Sequence, residues 1–258
     1  MRVTARTLRL VAVVGAATFL IGAAPGSSRP ASGAEESARG VAVERPIAAR
    51  PTAARAWIAR IVVPVHPRSA PRVAASRMPL LTGAAPYNGN PEALLVMGAT
   101  STRREGVWYR VLLNSRPNTA TGWVPAAAVH VSATPYRVLV NLSTHRATLL
   151  RANRVVAGWP VAVGTRGNPT PVGRFAVSEI VPQPGAGGFF GPYILSLTAH
   201  SERLSDFDGG DGRIALHGTN RPHLIGRAVS HGCVRFANAA ITRLARTVPP
   251  GTPVDIVA

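Results

Sequence analysis

One cysteine, Cys233, stands in a chain of 258 residues, inside Ser230-His-Gly-Cys-Val-Arg235, and His217-Gly-Thr-Asn-Arg-Pro precedes it. A free thiol is only a few per cent thiolate at neutral pH, so a cysteine nucleophile needs a base or a cation beside it. Two histidines offer themselves. His231 lies two positions before Cys233, and His217 lies sixteen before it at the end of a short apolar run, a spacing that lets an imidazole meet the sulfur from across a cleft. Gly226 and Gly232 permit close backbone approach, and their N–H groups are candidates to face a developing oxyanion. The chemistry this suggests is acyl transfer to a cysteine. The plainer reading of a lone cysteine is a buried, inert side chain.

These residues must be held by strands. Gly (25) and Pro (23) are abundant and recur as breakers from Pro64 onward, and Val is frequent, which favours a mainly β fold and excludes a helical bundle. The apolar fraction of 46% against 16% charged is enough for a buried core. Short apolar runs at Ile61–Val65, Ala93–Met97, Val107–Leu113 and Gly122–Val124 predict strands in a first unit, residues 56–132. A break at Ser132–Pro135 opens a second unit, 135–258. There Tyr136–Leu142, Arg146–Leu150 and Val155–Val163 read as an antiparallel meander, followed by strands at Gly173–Val181, Ile194–Leu197, Arg213–Leu216 and Val254–Val257. Phe236, Ala240, Ile241, Leu244 and Val248 fall on one face of a helix that Pro249-Pro250 stops.

Arg2, Arg6 and Arg9 precede an apolar run from Leu10 to Ala24, and Ser32-Gly33-Ala34 suits signal peptidase, so residues 1–34 read as a secretory signal peptide and 35–55 as a linker. Export is the expected fate, to the periplasm or cell wall, with membrane contact only through a leader left uncleaved. An exported chain with one cysteine forms no internal disulfide, and an idle thiol there is a hazard, which favours a working role for Cys233. The net charge is +18 and every basic residue is arginine. The charge is dispersed, without a basic helix or an aromatic-interleaved basic run. That is weak support for nucleic acid and better support for residence beside an anionic polymer or membrane surface.

Ser230-His-Gly-Cys-Val-Arg, with His217-Gly-Thr-Asn before it, resembles the YkuD-type catalytic domain of bacterial L,D-transpeptidases. Thr170-Pro-Val-Gly-Arg-Phe175 and Gly191-Pro-Tyr-Ile-Leu-Ser-Leu197 resemble further segments of that family, over roughly 136–258. Gly106-Val-Trp-Tyr-Arg-Val-Leu-Leu and Thr121-Gly-Trp-Val-Pro resemble the end of a bacterial Src-homology-3-like barrel. The resemblances imply a small Src-homology-3-like barrel followed by a YkuD-type β-sandwich or barrel with one C-terminal helix. They imply Cys233 as nucleophile, His217 as base and the Gly218 carbonyl as its orienter. Ser230, His231, Gly232, Arg235 and Asn220 would form the oxyanion and substrate environment, and Tyr193 a substrate contact, with core packing as the alternative for Tyr193, Phe189 and Phe190.

The implied reaction attacks the amide after the third residue of a peptidoglycan stem, releases D-alanine, and passes the acyl group from a Cys thioester to a second stem as a 3→3 cross-link. Donor and acceptor stem peptides would be the partners, carbapenem β-lactams the inhibitors, and no metal or organic cofactor is implied. Three other readings compete: an L,D-carboxypeptidase with water as acceptor, a non-catalytic wall-binding protein, and a metallopeptidase using His217, His223, His231 and Cys233, whose spacing matches no usual zinc signature. Asp206, Asp208 and Asp211 lack the ligand ladder of a calcium loop. His66, His130 and His145 receive no role, nor does His200.

Overall fold

The computed structural model describes residues 50–185, 187–206 and 210–258; the expected signal peptide, most of the expected linker and Asp208 lie outside the described residues. Five strands come first: β1 (Ala56–Ile61), β2 (Ala93–Thr102), β3 (Gly106–Leu112), β4 (Thr121–Pro125) and β5 (Val129–Thr134), with a short 3-10 turn at Ala126–Ala128. They pair in the order β4-β3-β2-β1-β5, all antiparallel. Alternation puts Ala59, Ile61, Leu94, Val96, Tyr109, Val111 and Val124 into one core. The strand expected at Ile61–Val65 instead ends at Ile61, because the N–H groups of Ile61 and Val62 turn to the carbonyls of Glu92 and Ala128 and Pro64 has none to donate. At the far end β5 pairs with β1 as far as Thr134, so the expected break at Ser132 shrinks to Pro135.

The second sheet takes β6 (Tyr136–Asn141), β7 (Arg146–Arg151), β8 (Arg154–Pro160), β10 (Gly173–Pro182), β11 (Tyr193–His200), β12 (Arg213–His217), β14 (Val234–Arg235) and β15 (Pro253–Val257). The short strands β9 (Val163–Gly164) and β13 (Ala228–Ser230) pair apart from it. The order is β14-β12-β11-β10-β15-β6-β7-β8. The meander β6-β7-β8 is antiparallel, but β15 joins β6 and β14 joins β12 in parallel, pairings that need long excursions of chain between partners. Helix α1 (Asn238–Thr247) buries Ala240, Ile241 and Leu244 on the core under β11 and β12. It stops at Val248, which is extended ahead of Pro249, as a residue before proline must be.

The two sheets belong to one compact unit. Ala56, Leu95 and Leu112 of the first pack with Ala176 of the second. Gly251, at φ +89°, lets its chain pass Ile58 of β1 so closely that a Cβ there would lie 2.5 Å from Ile58 Cγ2. Glu179 of β10 accepts the N–H groups of Tyr87 and Asn88, each at 3.2 Å. From the turn between β3 and β4, Arg116 donates to the carbonyls of Ser201, Leu204 and Asp211, and Asn118 brackets the buried His200 backbone, Nδ2 to O and N to Oδ1, both at 2.8 Å.

Replacing Asn118 by Ala orphans both backbone groups of His200 and should cost about 2 kcal/mol of stability. Chemical denaturation reads this; a loss within about 0.5 kcal/mol, as for a surface change, would show that water replaces the amide.

Candidate active site

The parallel ladder between β12 and β14 sets Leu216 against Val234 and His217 against Arg235. One step back in that register puts Cys233 beside Ala215. Side chains alternate across a strand, so Leu216, Val234, Leu195 and Leu197 face the core under α1, while Ala215, His217, Cys233 and Arg235 share the opposite face. His217 and Cys233 are thus diagonal neighbours on adjacent strands, about 7–8 Å apart between Cα atoms and within side-chain reach. They do not meet across a cleft as the spacing suggested. The short strand β14 carried no periodic signal from which this pairing could be read.

His217 is buried, and its Nδ1 lies 2.6 Å from the Gly218 carbonyl. A carbonyl only accepts, so Nδ1 carries the proton and the lone pair resides on Nε2. Gly218 is tightly enclosed: a Cβ there would clash with Asn238 Oδ1 and sit 2.9 Å from Gly191 Cα and Pro192 Cδ. Phe190 meets the imidazole edge-on at 5.1 Å and Phe189 stacks on it at 6.1 Å, so the two aromatics of the Pro/Gly loop cover the ring. Tyr193 does not join them. It is half-buried and packs against the core on the other face, the alternative weighed for it, and its carbonyl accepts the Gly218 N–H at 3.4 Å.

Burial drives the His217 pKa from its ordinary 6.5 to about 4, against the Gly218 hydrogen bond and with help from Arg235. The Cys233 residue keeps some exposed surface, but its thiol is enclosed: Sγ is 4.0 Å from the Arg213 carbonyl. Burial pushes the Cys233 pKa up, and a backbone contact from Ala215 and the charge of Arg235 pull the other way. The resting pair is therefore neutral thiol and neutral imidazole. Arg235, 7% exposed, holds its guanidinium 5.0 Å above the Phe189 ring, and its Nε is buried without a hydrogen-bond partner. It is a positive charge set beside the sulfur.

Ser230 knots the motif. Its hydroxyl donates to the Cys233 carbonyl at 2.6 Å and accepts the Gly232 N–H at 3.1 Å. That corrects the expectation for Gly232, whose N–H is already engaged, and for Gly226, whose N–H goes to the Val161 carbonyl at 3.1 Å. His231, Asn220 and His223 are exposed. Among the described residues no three His, Cys, Asp or Glu side chains converge on a metal-sized site, so the four residues of the metallopeptidase reading do not assemble. Sequence reasoning missed Thr170. Its buried hydroxyl donates to the Gly232 carbonyl at 2.8 Å and accepts the Gly164 N–H at 2.9 Å, pinning the cysteine loop to the sheet. Its place in Thr-Pro-Val-Gly-Arg-Phe was the available signal.

A thiol, an imidazole oriented by a main-chain carbonyl, and a buried guanidinium thus share one sheet face. Residues 135–256 match the L,D-transpeptidase catalytic domain, YkuD. The YkuD protein of Bacillus subtilis (strain 168) is 34% identical over 151 residues, 56% of this chain and 84% of the relative. That of Bacillus licheniformis is 39% identical over 122 residues, 47% of this chain and 66% of the relative. The chain belongs to the L,D-transpeptidase family. Among solved structures, the catalytic domain of an E. faecium L,D-transpeptidase matches over 47% of this chain and 95% of its own at 20% identity and a TM-score of 0.35. L,D-transpeptidase 3 from Mycobacterium tuberculosis with a faropenem-derived adduct covers 65% and 91% at 14% identity and 0.40.

Two pH effects follow from the buried imidazole and thiol. The unfolded chain takes up a proton at His217 near 6.5 and the folded chain only near 4, so stability is full above 6.5 and falls as pH drops towards 4, by about 3 kcal/mol. Denaturation of wild type and His217→Gln at pH 7 and pH 4.5 checks this: the variant should lose the smaller share. The rate of Cys233 alkylation by iodoacetamide should rise with a midpoint above the free-thiol value of about 8.5. A midpoint below about 7 would mean a preformed thiolate.

Proposed function

We propose that this chain is an exported peptidoglycan L,D-transpeptidase that forms 3→3 cross-links through a thioester on Cys233. The observation that carries the reading is the shared sheet face of Cys233 and His217, with Nδ1 of His217 tied to the Gly218 carbonyl and Nε2 left as the base. On this reading the thiol proton passes to Nε2 as sulfur attacks the carbonyl after the third residue of a donor stem. The carbon–sulfur bond forms, and the amide C–N bond breaks as the imidazolium returns the proton to the departing D-alanine amine. The side-chain amine of a second stem then attacks the thioester, His217 takes its proton, and sulfur leaves to be reprotonated. Arg235 stabilises the negative charge that develops on sulfur and the carbonyl oxygen. The N–H of Cys233 is the donor proposed for the oxyanion in place of Gly232 and Gly226.

Further expectations rest on the same reading. The arginine-rich charge suits an anionic wall, and the leader read at residues 1–34 would deliver the chain there. The five-stranded antiparallel sheet, in which β5 returns to pair with β1 after a 3-10 turn, supports a Src-homology-3-like assignment for residues 56–132. A strained β-lactam of the carbapenem class would acylate Cys233 as a substrate does.

Intact-mass spectrometry after meropenem should show one adduct on the native chain and none on Cys233→Ala. Absence of an adduct on the native chain would count against the mechanism. With purified tetrapeptide muropeptides, 3→3 dimers support the transpeptidase, whereas tripeptide monomers alone assign water as acceptor and an L,D-carboxypeptidase.

A further inference from the structure

Two partly exposed aromatic rings flank the sulfur, and they come from different sheets. Arg213, Ala215 and His217 alternate onto one face of β12, with Cys233 beside Ala215. Phe189 stacks on His217 at one end of this run. At the other end Tyr87, from the connection between β1 and β2, lies with its ring 5.5 Å from the Arg213 guanidinium. The two ends are about 13 Å apart along the strand, close to the length of four extended residues, and Cys233 falls between them. Phe189 is 44% exposed and Tyr87 55%, so both rings keep an open side. The Tyr87 loop is fastened independently of its ring: the N–H groups of Tyr87 and Asn88 bond to Glu179, and Asn88 Nδ2 donates to the Ile180 carbonyl at 3.2 Å. Inside the loop the Asn90 N–H returns to Asn88 Oδ1 at 2.9 Å and the Gly89 N–H to the Ala85 carbonyl at 3.0 Å. Glu179 stands in one cross-strand row with Ser196, Ala215 and so Cys233, which puts the loop on the face that bears the sulfur.

The reaction proposed for Cys233 gives the two ends of this run different roles. His217 returns a proton to the departing amine, so the leaving D-alanine, and after it the incoming amine, lie on the His217 side of the sulfur. The acyl half of the donor extends the other way, towards Arg213 and Tyr87. We propose that Tyr87 is a donor-binding residue of the Cys233 site, its ring packing on the third residue of the stem; the inference rests on the acyl-transfer reading of Cys233. The chemistry of that residue suits the contact. A stem that supplies a side-chain amine as acceptor carries a methylene chain at the same position when it serves as donor, and an aromatic face packs on methylenes. Arg213 backs the ring instead of competing for the substrate, because its guanidinium is largely covered and bonded to Asp211 at 2.8 Å.

The test follows D-alanine release from tetrapeptide stems by the full chain, native and with Tyr87→Ala or Tyr87→Phe. Tyr87→Ala should lower kcat/KM for the donor about tenfold, keep the acceptor KM within about twofold, and leave Tyr87→Phe close to native. Alkylation of Cys233 by iodoacetamide, which has no stem to bind, reads the thiol itself and should proceed at the native rate in both variants. An unchanged donor kcat/KM in Tyr87→Ala overturns the proposal, as does a change confined to the acceptor KM. A fall in alkylation as large as the fall in donor turnover also overturns it, in favour of a structural role for the ring. The two readings fail separately: a native chain that releases no D-alanine and forms no thioester sinks acyl transfer and this inference together, whereas native turnover matched by Tyr87→Ala sinks only the inference.

Discussion

Everything at the face shared by Cys233 and His217 depends on a two-residue strand lying parallel to its neighbour. Because β14 pairs with β12 in the register His217 to Arg235, sulfur, imidazole and guanidinium emerge on one side of the sheet, and Leu216 and Val234 on the other. A slip of one residue would turn Cys233 into the core. So short a ladder cannot hold its own register, and the structure supplies the restraint from outside. Thr170 fixes the Gly232 carbonyl, Ser230 ties the turn before the sulfur, and the Ala162 and Arg235 backbones bond to each other in both directions.

The electrostatics of the face follow from that enclosure. A low-dielectric setting keeps both the imidazole and the thiol uncharged at rest, so an activated ion pair is not stored in the free protein. The buried Arg235 favours the anion that forms during a reaction, and its own pKa is lowered by burial while attraction to Cys233 opposes the drop. Phe189 stacks on His217 and Phe190 meets it edge-on, and both rings help to bury the imidazole.

The first sheet reaches the second by two routes, through Tyr87 and Asn88 to Glu179 of β10, and through Arg116 and Asn118 to the end of β11 and the segment after it. Arg213, whose carbonyl meets the Cys233 thiol, lies with its guanidinium 5.5 Å from the Tyr87 ring. The arrangement makes the first sheet a neighbour of the site's supports.

Local signals in the sequence were enough for the mainly β character, for the single helix from Phe236, Ala240, Ile241 and Leu244, and for Cys233 and His217 as the residues to watch. Period, breakers and a lone thiol are properties of short stretches, and they survive without tertiary context. The parallel pairings of β14 and β15, the placement of Tyr193 on the core face, the engagement of the Gly226 and Gly232 N–H groups, and the bolt at Thr170 were decided only by the folded chain. The β15 pairing, the Gly226 N–H and the bolt at Thr170 depend on partners more than sixty residues away, the β14 pairing on a strand eighteen residues back, and the place of Tyr193 on which face of its strand turns inward.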